Sequence, residues 1–144
     1  MAGAEDSDAY PRPMLTVDVV VLAGTEASRR VLLIQRGDPP FRGSWALPGG
    51  FVEEGEQVVE AAPRELAEET GLQLSELRLL GVYDTPGRDP RGWTVSVVYL
   101  AHVPNEAAVA GADDASDARW FAADDLPELA FDHKVILADA LAAA

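Results

Sequence analysis

The chain has 144 residues, a formal net charge of −14 and no cysteine. With 48% apolar and 25% charged residues it suits one globular domain with a real core, and it has no means of forming a disulfide, a thiolate nucleophile or a thiolate metal site. The charge argues against a phosphate-neutralising surface, so nucleic acid is not an expected partner, and no apolar run approaches the ~20 residues of a membrane span.

Residues 1–13, MAGAEDSDAYPRP, are acidic and lack the apolar centre of a secretory signal. They predict a flexible N-terminal tail ahead of a domain spanning 14–144, and the absence of cysteine fits a cytoplasmic location. Met14 to Leu22 reads as a valine-rich strand. Asp18 interrupts the face shared by Thr16 and Val20, where an unpaired buried charge would be costly. It is read as a satisfied edge position, with an active-site-facing or interface position as the alternative. Ala23 to Arg30 is a turn, and Val31 to Gln35 is a second strand pairing with the first as a hairpin, with Arg36 at its end. The prolines and glycines of Gly37 to Ser44 predict a loop. Trp45 to Gly50 then leads into the next segment, with Trp45 as a packing residue.

Gly50 to Leu72, GFVEEGEQVVEAAPRELAEETGL, holds seven glutamates against one arginine. Helices usually avoid such crowding, because like charges three or four residues apart repel. Helical spacing puts Glu65, Glu68 and Glu69 on one face, with Val59, Ala62, Leu66 and Thr70 on an adjoining face that can pack on a sheet. Three carboxylates converging on one spot call for a cation. Oxygen-only ligands suit Mg²⁺ or Mn²⁺, whose open coordination positions usually meet phosphate oxygens. Gly71 sits where a helix ends in the left-handed conformation, and Gly49-Gly50 lets backbone come close. Pro63 predicts a local kink, or a first turn held by packing.

Beyond this helix, Leu77 to Asp84 reads as a strand and Thr85 to Gly92, TPGRDPRG, as a tight polar loop. Trp93 to Val103 is a long strand whose alternation puts Trp93, Val95, Val97 and Tyr99 on one side. Pro104 to Asp117 reads as a long loop carrying Asp113, Asp114 and Asp117, and Arg119 to Ala122 as a short strand. Asp132 to Ala143 is a terminal helix with Asp132 as N-cap and Val135, Ile136 and Leu141 facing inward. Strands around one acidic helix, closed by a second helix, give an α/β fold with a mixed sheet between helices.

The acidic run has a fixed skeleton: a glycine, five residues, Glu56, seven residues, Arg64-Glu65-Leu66, one residue, Glu68-Glu69, one residue, Gly71-Leu72. In every fixed position it resembles the signature of the Nudix hydrolases, and the W-x-L-P-G-G segment ahead of it extends the likeness. The resemblance implies an α/β/α sandwich with a mixed sheet, the signature forming a loop–helix–loop. It implies hydrolysis of a nucleoside diphosphate joined to another group. Glu65, Glu68 and Glu69 would be ligands of Mg²⁺ or Mn²⁺, Glu56 an outer ligand or a support for bound water, and Gly49 a carbonyl donor. Arg64 would orient a neighbouring glutamate; an exposed pair with Glu60 or Glu68 is the alternative. The general base would come from the box glutamates or from Asp113, Asp114, Asp117 or Glu106. TPGRDPRGWTVSVVYLA resembles the matching region of the ADP-ribose pyrophosphatases, with Pro86 or Pro90 as that group's characteristic proline. Arg36, Arg88 and Arg91 are the substrate-binding candidates, loop salt bridges being the alternative for the last two. The expected ligand is a small nucleotide sugar or nucleotide: ADP-ribose first, nucleoside triphosphates second. A metabolite sensor is a third reading, which the complete box and the ~20 residues after the last strand speak against. Many relatives are homodimers; no stretch here specifies one.

Overall fold

A computed structural model describes residues 10–144, so most of the expected 1–13 tail lies outside the described residues. The strands are β1 (Met14–Ala23), β2 (Arg30–Arg36), β3 (Trp45–Ala46), β4 (Gly49–Phe51), β5 (Arg78–Tyr83), β6 (Thr94–Val103) and β7 (Ala115–Ala122). The helices are α1 (Val58–Thr70) and α2 (His133–Ala143). Among the described residues the seven strands form one mixed sheet, ordered β3-β2-β1-β6-β5, with β4 joined to β1 and β7 to β2.

Strand alternation sorts the core into two layers. Val17, Val19 and Val21 of β1 face α1 and pack with Leu32, Ala61, Ala62, Leu66 and Tyr99. Val20 and Leu22 face the other way and pack with Leu33, Val98, Leu100 and Ile136, Leu137 and Ala140 of α2. This is the expected α/β/α sandwich, and each fully buried Val or Leu contributes about 1.5–3 kcal/mol.

Several local expectations are corrected. β1 and β2 pair only at Leu22↔Val31 and Ala23↔Arg30. The full-length partner of β1 is the parallel strand β6, and that of β2 is β7. β7 starts at Ala115, so Asp117 belongs to a strand and not to the preceding loop. Asp18 lies in a central strand, 7% exposed, and is not an edge residue. β6 begins after Trp93, which is exposed, while Val97 and Tyr99 pack under α1 as their alternation predicts. Val59 is exposed because the buried face of α1 begins only at Ala61. Val135 is exposed because the inward face of α2 is set by His133, Ile136, Leu137 and Ala140, which places Val135 on the outer side. α1 runs unbroken through Pro63, its turn held by Ala61, Ala62 and Leu66 against the sheet.

Candidate active site

One edge of β1 pairs with β4 from Thr16 to Asp18 and with β2 at Leu22 and Ala23. Near this change of partner lies a cavity of about 500 Å³, lined by β1, β2, β4, α1 and the loops before β7 and α2. Such a volume is in the range of cofactor-sized ligand sites.

α1 supplies the acidic wall. Glu65, Glu68, Glu69 and Arg64 all line the cavity. Arg64 is the hub of this wall: Nε and Nη2 donate to the carboxylate of Glu56, and Nη1 donates to Glu65 Oε1 at 3.1 Å and Glu68 Oε1 at 3.0 Å. Nη2 also reaches the Phe51 carbonyl at 3.1 Å, tying α1 to β4. The surface pair with Glu60 does not form; Glu60 accepts the Gln57 amide hydrogen at the start of the helix instead. Glu56 therefore holds Arg64 and does not line the cavity.

The glycines fit close against these acids. Gly49 N–H donates to Glu69 Oε1 at 2.8 Å. A Cβ on Gly50 would stand 2.5 Å from both carboxylate oxygens of Glu65, and one on Gly49 would stand 2.1 Å from the Val17 carbonyl oxygen. Burial, with the nearby charges of Glu65, Asp18 and Asp114, pushes the Glu69 carboxyl up to about 8. Burial also raises Glu65, with Arg64 pulling against it. Glu69 makes no ion pair among the described residues, and the one cation at Glu65, the Arg64 guanidinium, is shared with Glu56 and Glu68. Among the described residues no three His, Cys, Asp or Glu side chains already form a metal cage, and the Arg64 guanidinium bonds both Glu65 and Glu68. The oxygen-only donor set, the buried acids and the glycine cradle nevertheless fit a hard divalent cation.

The loop before β7 brings further carboxylates. Ala110 and Ala112 donate backbone hydrogens to the carbonyls of Thr70 and Glu69, which pins this loop to the end of α1. Asp113, with φ of 56°, and Asp114 then line the cavity. Asp117 and Glu106 do not: Asp117 pairs with Arg119 at 2.8 Å and Glu106 with Arg30 at 3.0 Å.

Of the arginines, Arg36 lines the cavity, donates to the Pro40 carbonyl at 2.7 Å and forms no ion pair among the described residues. Its guanidinium lies 5.1 Å from the Phe131 ring centre. Arg91 sits between the Phe51 and Phe131 rings, 4.9 and 5.6 Å from their centres, and chelates Asp89 through Nε and Nη2. Arg88 also lines the cavity, but it is 4% exposed and is clamped by Asp132 at 2.9 and 2.7 Å, which ties the TPGRDPRG loop to the start of α2. Asp132 serves this tie and makes no side-chain cap bond to α2. Pro86 and Pro90 are exposed and line no part of the cavity. Trp45 packs edge-on against Phe121, 4.8 Å between centres, as a packing residue should.

Sequence reasoning missed four residues that belong here: Phe51, Asp89, Phe131 and His133 all line the cavity. It flagged Asp18 without finding its place. An aspartate inside an apolar strand was a usable signal, whereas a lone histidine opening a helix carried none.

A family model, the NUDIX domain, matches residues 12–140. A protein of Methanocaldococcus jannaschii named ADP-ribose pyrophosphatase is 48% identical over 90% of this chain and 74% of its own length. The ADPR responsive transcriptional repressor NtrR of Acinetobacter baylyi is 35% identical over 99% of this chain, which spans only 58% of that repressor. Among solved structures, the NUDIX domain of Shewanella oneidensis NrtR complexed with ADP ribose aligns at a TM-score of 0.85 and 35% identity, covering 97% of each chain.

Proposed function

The chain belongs to the Nudix family, and on that premise we propose that it hydrolyses the pyrophosphate link of ADP-ribose, giving AMP and ribose 5-phosphate, with Mg²⁺ or Mn²⁺ as cofactor. The observation that carries this reading is a single cavity with Glu65, Glu68 and Glu69 on one wall and the guanidinium groups of Arg36 and Arg91 on another. A pyrophosphate needs both: cation-binding oxygens on one side and hydrogen-bond donors on the other. The Methanocaldococcus relative supports the substrate by its name, and the Shewanella domain supports it by its bound ligand.

In this mechanism Glu65, Glu68 and Glu69 would hold the cation, and Gly49 N–H keeps Glu69 turned inward. Bound divalent metal neutralises phosphate charge and lowers the pKa of a water. Arg64 fixes the facing oxygens of Glu65 and Glu68. Asp113 and Asp114, which line the same cavity on the loop pinned to α1, are the candidates for the base that takes a proton from water. Arg36 has no competing ion pair among the described residues and binds substrate phosphate or ribose oxygens, with Arg91 beside it.

Similarity to the NtrR and NrtR proteins favours a second reading, a domain that binds ADP-ribose as a signal without cutting it. One screen separates the two. ADP-ribose, NADH, dinucleoside polyphosphates and nucleoside triphosphates are incubated with Mg²⁺ and the products identified. AMP and ribose 5-phosphate, formed faster than any triphosphate is cut, support the hydrolase reading. Tight binding of intact ADP-ribose moves the protein to the sensor class, and preference for a triphosphate moves it to the nucleotide-sanitising class.

A further inference from the structure

His133 is 4% exposed, opens α2, and takes no part in the chemistry described above. Burial lowers its basicity, so its ring is neutral and can accept a hydrogen bond. The Nδ1 atom does so from the Leu47 amide at 3.0 Å, which leaves the ring proton on Nε2. Nε2 faces Asp18 Oδ1 at 3.6 Å, beyond direct hydrogen-bond length, while Asp18 Oδ2 accepts a hydrogen bond from the Ser96 hydroxyl.

The Leu47 contact matters because the next two residues of the chain are held as well. Pro48 carbonyl accepts the Val19 amide hydrogen at 2.8 Å, and Gly49 N–H donates to Glu69. Three consecutive residues are thus fixed from three directions: by the head of α2, by β1 and by α1. The turn has little freedom, since any side chain on Gly49 would collide with β1. A shift of Leu47 is therefore carried directly to the Gly49 amide.

We propose that His133 is a positioning residue for Glu69, acting from the opposite layer of the sandwich through the Leu47–Gly49 turn. The proposal rests on the reading of Glu69 as a cation ligand, and its test separates the two. In His133→Asn the side-chain oxygen replaces the Nδ1 acceptor; in His133→Gln the side-chain amide replaces the Nε2 donor and the Leu47 bond is lost. Amide hydrogen exchange is followed at Leu47 and Gly49, and Mn²⁺ binding is read by electron paramagnetic resonance without substrate.

The expected result is that His133→Gln loses about 10-fold or more in exchange protection at both amides and in Mn²⁺ affinity, while His133→Asn stays within about threefold of the parent. Loss of protection at Leu47 alone, with Gly49 unchanged, overturns the proposal. So do equal losses in the two variants. A parent protein that binds no Mn²⁺ removes the cation reading of α1, while exchange at Gly49 still decides the positioning role. Should both variants fail to fold, replacing Leu47 by its α-hydroxy acid deletes the N–H and leaves the imidazole in place. The same loss at Gly49 is expected, and its absence overturns the proposal.

Discussion

Glu65 lies so close under Gly50 that a Cβ there would stand 2.5 Å from each carboxylate oxygen. Real Cβ atoms do not tolerate that distance, so either β4 or the carboxylate must move. Gly50→Ala is expected to lower kcat by about 100-fold, because a displacement of ~1 Å at a reacting centre has that scale of effect. Its melting temperature should fall only modestly, since what must give way is the carboxylate end of a side chain that lines the cavity. The check is kcat beside a thermal melt; a normal kcat would mean that Glu65 is free to relocate at no cost to the reaction.

Glu68 is 42% exposed on its side chain and, among the described residues, is held by Arg64 alone. Glu68→Gln keeps the size and loses the charge, so folding should be unaffected. Loss of a cation ligand should reduce kcat by ~100-fold or more, about 3 kcal/mol of transition-state stabilisation. Excess EDTA should abolish turnover of the parent protein. Full turnover in EDTA would refute the cation requirement.

The raised carboxyl of Glu69 makes stability depend on pH in a defined direction. Its ordinary value is 4.5 and its folded value about 8, so between them the folded state holds a proton that the unfolded state has released. Stability from this group therefore falls as pH rises. His133 acts the other way below its ordinary value of 6.5, where the unfolded chain gains a proton that the buried ring refuses. The clean window is pH 6.5 to 8. Metal-free protein should lose melting temperature across it, Glu69→Gln should flatten the slope, and Mg²⁺ should stabilise most at the upper end. A flat parent curve would show that Glu69 is better solvated than its burial indicates.

The layers were legible because strands and helices carry different apolar periods, and valine alternation in β1 alone assigns both faces. The acidic wall was legible because Glu65 and Glu69 are one helical turn apart. The residues opposite that wall were not. Phe51 and Phe131 are far apart in the chain and come to line one cavity, with Arg91 over both rings, only in the folded protein, a pairing no local pattern encodes. Asp18 was misplaced for a related reason. Its hydrogen-bond donor, Ser96, lies 78 residues further on, so the sequence showed the charge without the group that satisfies it. The arginines looked alike in sequence and differ in space: Arg88 is clamped by Asp132 and Arg91 by Asp89, while Arg36 pairs with no acid among the described residues.

That difference predicts a split between Arg88 and Arg36. Arg88→Ala leaves the partly exposed Asp132 without its partner and should cost about 1–3 kcal/mol of stability, the usual scale for losing a charged hydrogen bond. Arg36→Ala should leave the melting temperature near the parent value and raise KM by about 10-fold or more, as loss of a charged hydrogen bond to substrate would. Thermal melts and steady-state kinetics on both variants check this. A raised KM in stable Arg88→Ala protein would assign substrate contact to the clamped arginine instead.

Arg64 gives the sharpest test of the acidic wall, because it bonds three glutamates and a backbone carbonyl at once. An exposed helix pair is worth only ~0.3–0.5 kcal/mol, and an ammonium would serve it as well as a guanidinium. The observed arrangement needs more than charge. Nε and Nη2 grip Glu56 as a fork while Nη1 spans Glu65 and Glu68 on the other side. A lysine has no planar group with which to meet Glu56 and the cavity acids together. Arg64→Lys should therefore lower kcat by ~10-fold or more, in the range found when residues behind a metal ligand are changed. Glu56→Gln should reproduce part of that loss, although Glu56 lines no part of the cavity, because it weakens the grip that sets the guanidinium plane. In the double variant the two effects should fall short of additive, since they remove one interaction. The measurement is kcat across a Mg²⁺ titration for the two single variants and the double. Unchanged turnover in Arg64→Lys, or full additivity with Glu56→Gln, would leave Arg64 as surface charge and return the orientation of Glu65 and Glu68 to packing alone.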